Sequence, residues 1–116
     1  MPRLLSAVPV LPVLDLRQSL AFFAKLGFHT VLTRDDNAAI ERDKVQIRLW
    51  ACIDHHLSEN SSCRLEVEGL DAFVKTLEGE GLVDAGATAQ PKPWGTREIL
   101  VSDPSGNAII FFERVR

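Results

Sequence analysis

Few residues in this chain could do chemistry, and their spacing narrows what that chemistry could be. Three histidines (His29, His55 and His56) and two cysteines (Cys52 and Cys63) stand among sixteen carboxylates. A metal centre needs ligands that converge from separate strands, with further groups to orient them. His55 and His56 are adjacent, so on a strand they would point to opposite faces, and they lie in a polar stretch. His29 follows a helix stop and has no histidine nearby. The expectation is therefore no metal and no cofactor. The cysteines lack CxxC spacing and neither sits beside a histidine, which suits two reduced thiols in strands. There is no nucleophile elbow, Walker loop or GxGxxG, and tyrosine is absent, so covalent catalysis is not expected.

The two tryptophans carry more information. Tryptophan in a small domain usually belongs to the core, and at least one of this pair is expected to do so. Trp50 closes the strand-like run "KVQIRLW". Trp94 lies in "QPKPWG", a loop-like stretch that puts its ring at the mouth of the next strand. Gly95 leaves space on one side of that ring, where a planar or cationic group could stack. Asp35, Asp36 and Asn37 form a turn signal, and the acidic pair would place negative potential at the lip of any adjacent cleft.

These residues are positioned by a repeat. At an offset of 54 residues, Leu16, Leu20 and Phe23 match Leu70, Val74 and Leu77, the apolar face of an amphipathic helix. Gly27 and Gly81 follow as helix stops, and Asp15 and Gly69 take the N-cap places. A strand precedes each helix: "SAVPVLPV" in one half and "SCRLEVE" in the other. Pro9 and Pro12 cannot donate to a central ladder, so the first strand should be an edge, a hinge or an exchanged arm. After the helices come "HTVLTRD", "NAAIERD" and "KVQIRLWAC" in the first half. The second half has a weak strand around "DAGATAQ", then "TREILVSD" and "NAIIFFE". The turns "ERDKV" and "SDPSGN" separate the hairpin strands. The class is α+β, two βαβββ modules laying their sheets into a curved, partly open mixed surface. Residues 5–52 form the first module, 53–61 a connector and 62–116 the second, all within one domain. The concavity is a natural place for a ligand.

Length and composition agree with one globular domain of 116 residues, 46% hydrophobic and 25% charged. A net charge of −3 argues against nucleic acid or an anionic membrane as partner. No apolar run is long enough to span a bilayer, and the proline-broken N-terminus lacks a secretory signal, so a cytoplasmic protein is expected. Residues 4–14 form an apolar, proline-hinged edge that a monomer would leave open for pairing.

"LLSAVPVLPVLDLRQSLAFFAKLGF", "PWG" and "DPSGN" together resemble the bleomycin-resistance proteins, within the vicinal-oxygen-chelate superfamily of glyoxalase I and the extradiol dioxygenases. The resemblance covers essentially the whole chain. It implies a homodimer that exchanges an N-terminal strand about a proline, for which Pro9 stands at the matching position. It also implies two equivalent clefts at the dimer interface. Each would hold a bleomycin-type glycopeptide antibiotic by stacking its planar bithiazole on aromatic rings, with acidic residues attracting its cationic tail. No chemical step is implied; the drug is sequestered. Trp94 matches a groove tryptophan, and Trp50, Gly95, Asp36, Asn37, Arg48 and Arg64 complete the candidate ligand-binding set. Asn37 stands where one member has phenylalanine and Arg64 where another has tryptophan, and Arg48 and Arg64 add positive charge near the presumed floor. The metal-binding positions of the superfamily's enzymes fall on Val8, Gln46 or Arg48, Ser62 and Ile110, of which only Gln46 could coordinate. The alternatives are a metal-dependent enzyme of the superfamily, or a binding domain for another small metabolite.

Overall fold

A computed structural model describes residues 1–115. Its elements follow in the order β1 (Val10–Val13), α1 (Leu16–Lys25), β2 (His29–Thr33), β3 (Asn37–Arg42), β4 (Val45–Ala51), α2 (His55–Glu59), β5 (Ser62–Glu66), α3 (Leu70–Gly79), β6 (Gln90–Pro91), β7 (Thr96–Ser102) and β8 (Ala108–Arg114). Each module makes its own four-stranded mixed sheet, ordered β1-β4-β3-β2 and β5-β8-β7-β6. In each, the strand before the helix runs parallel to the last strand of its module, and the remaining pairs are antiparallel. The repeat seen in the sequence is therefore a repeat of topology.

The helices form where capping and periodicity agree. Asp15 accepts from the Gln18 backbone N–H at 2.9 Å, closing the first turn of α1. Gly69 has no side chain to offer α3, and Glu113 of β8 substitutes, accepting from the Gly69 and Leu70 N–H groups. Gly27 and Gly81 end the helices with φ of +86° and +72°, the left-handed conformation glycine adopts without strain. Strand alternation turns Leu11, Leu49, Ala38, Ile47 and Ile40 toward α1, and Cys63, Ile109, Phe111 and Val101 toward α3. Phe23, Leu26, Leu70 and Leu77 meet them in one buried cluster shared by both modules.

Two expectations need correction. The first strand begins at Val10 instead of Ser6, because Pro9 lacks an N–H and no strand pairs with residues 1–8. β1 is otherwise the edge strand that Pro12 requires. The weak strand around "DAGATAQ" shrinks to Gln90–Pro91, since Asp84 turns the chain back onto Ala87 and Gly86 takes a φ of +80°. The connector holds an element of its own. Asp54 caps a five-residue helix, and the His55 and His56 rings lie 4.4 Å apart on it.

The modules are tied together at β1 by "DPSGN". Asp103 accepts from the Ser105 and Asn107 N–H groups, Asn107 donates to the Pro12 carbonyl at 2.8 Å, and the Ser105 hydroxyl accepts from the Leu14 N–H at 2.8 Å. All three side chains are buried, so the second module's turn fixes the end of the first module's edge strand.

Candidate functional site

Each sheet has a face away from its helix, and the candidate residues lie on it (Asn37, Arg48, Trp50 and Arg64) or in the turns beside it (Asp36, Trp94 and Gly95). On the first sheet, Pro12, Trp50 and Asn37 stand in one cross-strand row, with Val10, Arg48 and Ala39 in the next. The Arg48 guanidinium donates to the Asn37 side-chain oxygen at 2.7 Å, and the Asn37 amide donates to Asp36 at 2.9 Å. Arg48 is thus linked through asparagine to the acidic turn between β2 and β3.

On the second sheet, Ser62, Arg64 and Glu66 align with Ala108, Ile110 and Phe112, which align in turn with Ser102, Leu100 and Glu98. Trp94 sits in the turn that enters β7, closed by the Gly95 N–H donating to the Lys92 carbonyl at 3.1 Å. The φ of Gly95 is +90°, with open space where a Cβ would be, so glycine both permits the turn and leaves the ring accessible.

Both tryptophans are exposed, Trp94 by 63% and Trp50 by 45%, so the expectation that one belongs to the core fails. Strand alternation explains Trp50: its neighbour Leu49 is the residue turned to α1. Trp94 lies outside the strand, and its indole N–H is used inside the protein.

That N–H donates to the Glu98 carboxylate at 2.9 Å. Glu98 also accepts from the Thr96 hydroxyl at 2.5 Å and from both Arg64 terminal nitrogens, at 2.9 and 2.7 Å. Four donors converge on one carboxylate, and the residue is only 7% exposed. The Arg64 guanidinium, followed by the Thr96 hydroxyl, holds the Glu98 carboxyl well below the usual range, at about 2. Glu98 in turn raises Arg64 above its ordinary value. The Arg64 carbon lies over the Phe112 ring, 4.4 Å from its centroid. Arg114 approaches the same ring at 5.9 Å and pairs with Glu66 at 2.8 Å.

The extra positive charge assigned to Arg64 is therefore matched by Glu98, which the sequence reading missed. Thr96 and Glu98 share one face of the strand that follows Trp94, but nothing in the local pattern of "TREILV" marks Glu98 as paired. The positions carried over from the metal enzymes lie in both modules. Val8 precedes β1, Gln46 and Arg48 are in β4, Ser62 opens β5, and Ile110 lies between Arg64 and Leu100. Among the described residues, no three His, Cys, Asp or Glu side chains come together as a metal cluster. Among the same residues, no helix is long and apolar enough to cross a membrane.

The candidate residues gather into two groups, one on each sheet, and neither group lines a described cavity. A cavity of about 580 Å³ opens between the modules, against Leu26, Phe28, Arg42, Leu65, Phe73 and Phe111. A depression of about 550 Å³ lies beside Leu82, Thr88 and Ile99. Trp50 and Trp94 both lie exposed outside these two cavities.

Comparison with known proteins agrees with the resemblance read from the sequence. A curated bleomycin resistance protein of Geobacillus stearothermophilus is 29% identical over 131 aligned positions, covering 97% of this chain and 99% of the relative. The bleomycin-binding protein of bleomycin-producing Streptomyces verticillus, solved with copper(II)-bleomycin, superposes with a TM-score of 0.86 at 27% identity, over 96% of this chain and 97% of that one. A second bleomycin-binding protein, solved with bleomycin, gives a TM-score of 0.84 at 22% identity, over 94% and 98% of the two chains. No family model matches the chain. The fold is that of the bleomycin-binding proteins, and the resemblance spans essentially the whole chain.

Proposed function

We propose that this protein binds a bleomycin-type glycopeptide antibiotic and sequesters it without chemical change, in two equivalent clefts of a homodimer in the cytoplasm. The observation that carries the reading is the exposed Trp94 ring, its N–H engaged by Glu98, in a chain similar over 97% of its length to a bleomycin resistance protein. A large exposed aromatic with its polar atom already satisfied offers only its faces to a partner.

In this reading the bithiazole stacks on Trp94, with Gly95 giving it room and Arg64 beside it. Trp50, Arg48, Asn37 and Asp36 form the facing wall, contributed by the first module of the other subunit. The cationic tail runs toward Asp36. The open faces of both sheets support such an assembly, and so do residues 1–8, which extend from the domain with Leu4 and Leu5 in solvent. Pro9 is the hinge, its carbonyl tied to the Arg48 N–H at 2.9 Å where β1 begins.

Calorimetric titration with bleomycin tests the reading, and saturable binding at micromolar drug is expected. Trp94→Ala should weaken that binding by roughly 1–3 kcal/mol, the range for an aromatic ring stacked on a heterocycle. Absence of saturable binding by the unaltered protein refutes the assignment, and an unchanged affinity in the variant removes Trp94 from the cleft.

A further inference from the structure

We infer that Glu98 is the positioning residue of this face: it fixes the Trp94 ring and holds the Arg64 guanidinium over Phe112, making one charge-balanced stacking surface for a flat, conjugated ligand. The inference rests on the proposed role of this face in ligand binding, and it adds a positioning residue to it.

The geometry carries the argument. Glu98 receives the Trp94 indole N–H, the Thr96 hydroxyl and a two-point contact from Arg64, all between 2.5 and 2.9 Å. A carboxylate offers only acceptors, so it can meet four donors at once. Glutamine at 98 would turn an NH2 group toward groups that are themselves donors, and at least one contact would be lost. Thr96, fixed in the ladder opposite Arg114, anchors the carboxylate to the sheet. Trp94 and Arg64 are thus set from the rigid strand and not from the loop that carries the tryptophan.

The consequence for Arg64 is a change of role. Its charge is met by Glu98, one side of its guanidinium faces Phe112, and the side chain remains 42% exposed. A planar guanidinium held this way stacks as an aromatic ring does. Beside it, the exposed Trp94 ring shares the same carboxylate. Immobilising both groups before the ligand arrives lowers the ordering cost of binding. The adjacent Arg114–Glu66 pair keeps the surroundings of Phe112 balanced as well.

Nuclear magnetic resonance of the isotope-labelled full chain tests the anchoring without any ligand. The two tryptophans give two indole N–H signals, and Trp94→Phe identifies the one from Trp94. Glu98→Gln should shift the Trp94 signal and speed its exchange with solvent several-fold, while leaving the Trp50 signal in place. Should Glu98→Gln fail to fold, Arg64→Lys, which keeps the charge but loses the two-point contact, should move the same signal. A Trp94 signal indifferent to either folded variant overturns the inference.

Calorimetric titrations with bleomycin and with free bithiazole then separate the two proposals. Glu98→Gln should weaken both about tenfold, the order expected for losing a hydrogen bond to a charged group. Bleomycin binding that is equal in wild type and Glu98→Gln overturns the inference and leaves the antibiotic reading standing. Wild-type binding of bithiazole that weakens in the variant, without bleomycin binding, supports the inference and refutes that reading. Binding of neither probe by the wild type overturns the stacking surface itself.

Discussion

The proposed exchange of the N-terminal arm makes a quantitative demand on Leu5. Leu4 is 102% exposed and Leu5 82%, so their own chain gives them almost no contact. If the arm packs on a second subunit, Leu5→Ala removes three carbons from the interface, about 2.4 kcal/mol at about 0.8 kcal/mol per buried methylene. Two-fold symmetry repeats the change, giving about 5 kcal/mol per dimer. At about 1.4 kcal/mol per decade, the dimer dissociation constant should rise by more than about a thousandfold. Extended-chain accounting overstates burial, so about a hundredfold is a safer lower bound. Sedimentation equilibrium over a range of protein concentrations measures the constant directly. Circular dichroism should show unchanged helix content, because the arm lies outside the cluster that α1 and α3 cover. A wild-type monomer at every concentration, or an unchanged constant in the variant, refutes the exchanged arm.

Two further predictions concern the frame behind the site. Phe23 is fully buried and meets Phe22 and Phe28 edge-on, at centroid distances of 5.1 and 5.8 Å. Phe23→Ala should cost about 3–5 kcal/mol in urea unfolding, and a loss under about 1 kcal/mol would show that the ring does not fill the core. The second prediction is a pH dependence. Glu98 titrates near 2 when folded, chiefly because of Arg64, and near 4.3 in an unfolded chain. The unfolded state therefore binds more protons in that window, so the contribution of Glu98 is complete above the unfolded value and is lost as pH falls toward 2. Asp71, lowered by Arg97, acts with the same sign. Glu98→Gln should flatten the plot of stability against pH between about 4.5 and 2, and an identical slope in both proteins would contradict the network.

The fold was legible because its signals were local and repeated. Two apolar stripes at the same offset, two glycine stops and two hairpin turns each specify one piece of backbone. Even the Asp43-Lys44 turn fits, with both residues at positive φ as a two-residue hairpin requires. The start of β1 was less legible, since whether residues 6–9 join a strand depends on a partner that the chain itself does not supply. The site was half legible. Trp94 and Gly95 announce themselves by type and place, and Asn37 and Arg48 proved to be bonded to each other. Arg64 was seen as a charge but not as a paired one, because its partner is 34 residues away in another strand. Pairing across a sheet is set by register, which a single strand's pattern does not contain.

That pairing also bears on whether the face reacts or only binds. A general base at neutral pH needs a proton affinity near the working range. Glu98, the most enclosed carboxylate of this face, is held near 2 and already accepts from four donors, which leaves it a weak base at neutral pH. Arg64 lends its charge to that carboxylate instead of to a developing oxyanion. Between Arg64 and Leu100 stands Ile110, whose aliphatic side chain can neither coordinate a metal nor take a proton, at the place where the resemblance to the metal enzymes would put a ligand. Cys63 points to the helix side, its thiol pushed up to about 11 by burial and then by Asp103, which leaves it protonated and a poor nucleophile. The polar groups of the second sheet are thus spent on holding one another still. A surface so arranged has rigid, flat and charge-balanced parts to offer, which suits the capture of a planar molecule better than its conversion.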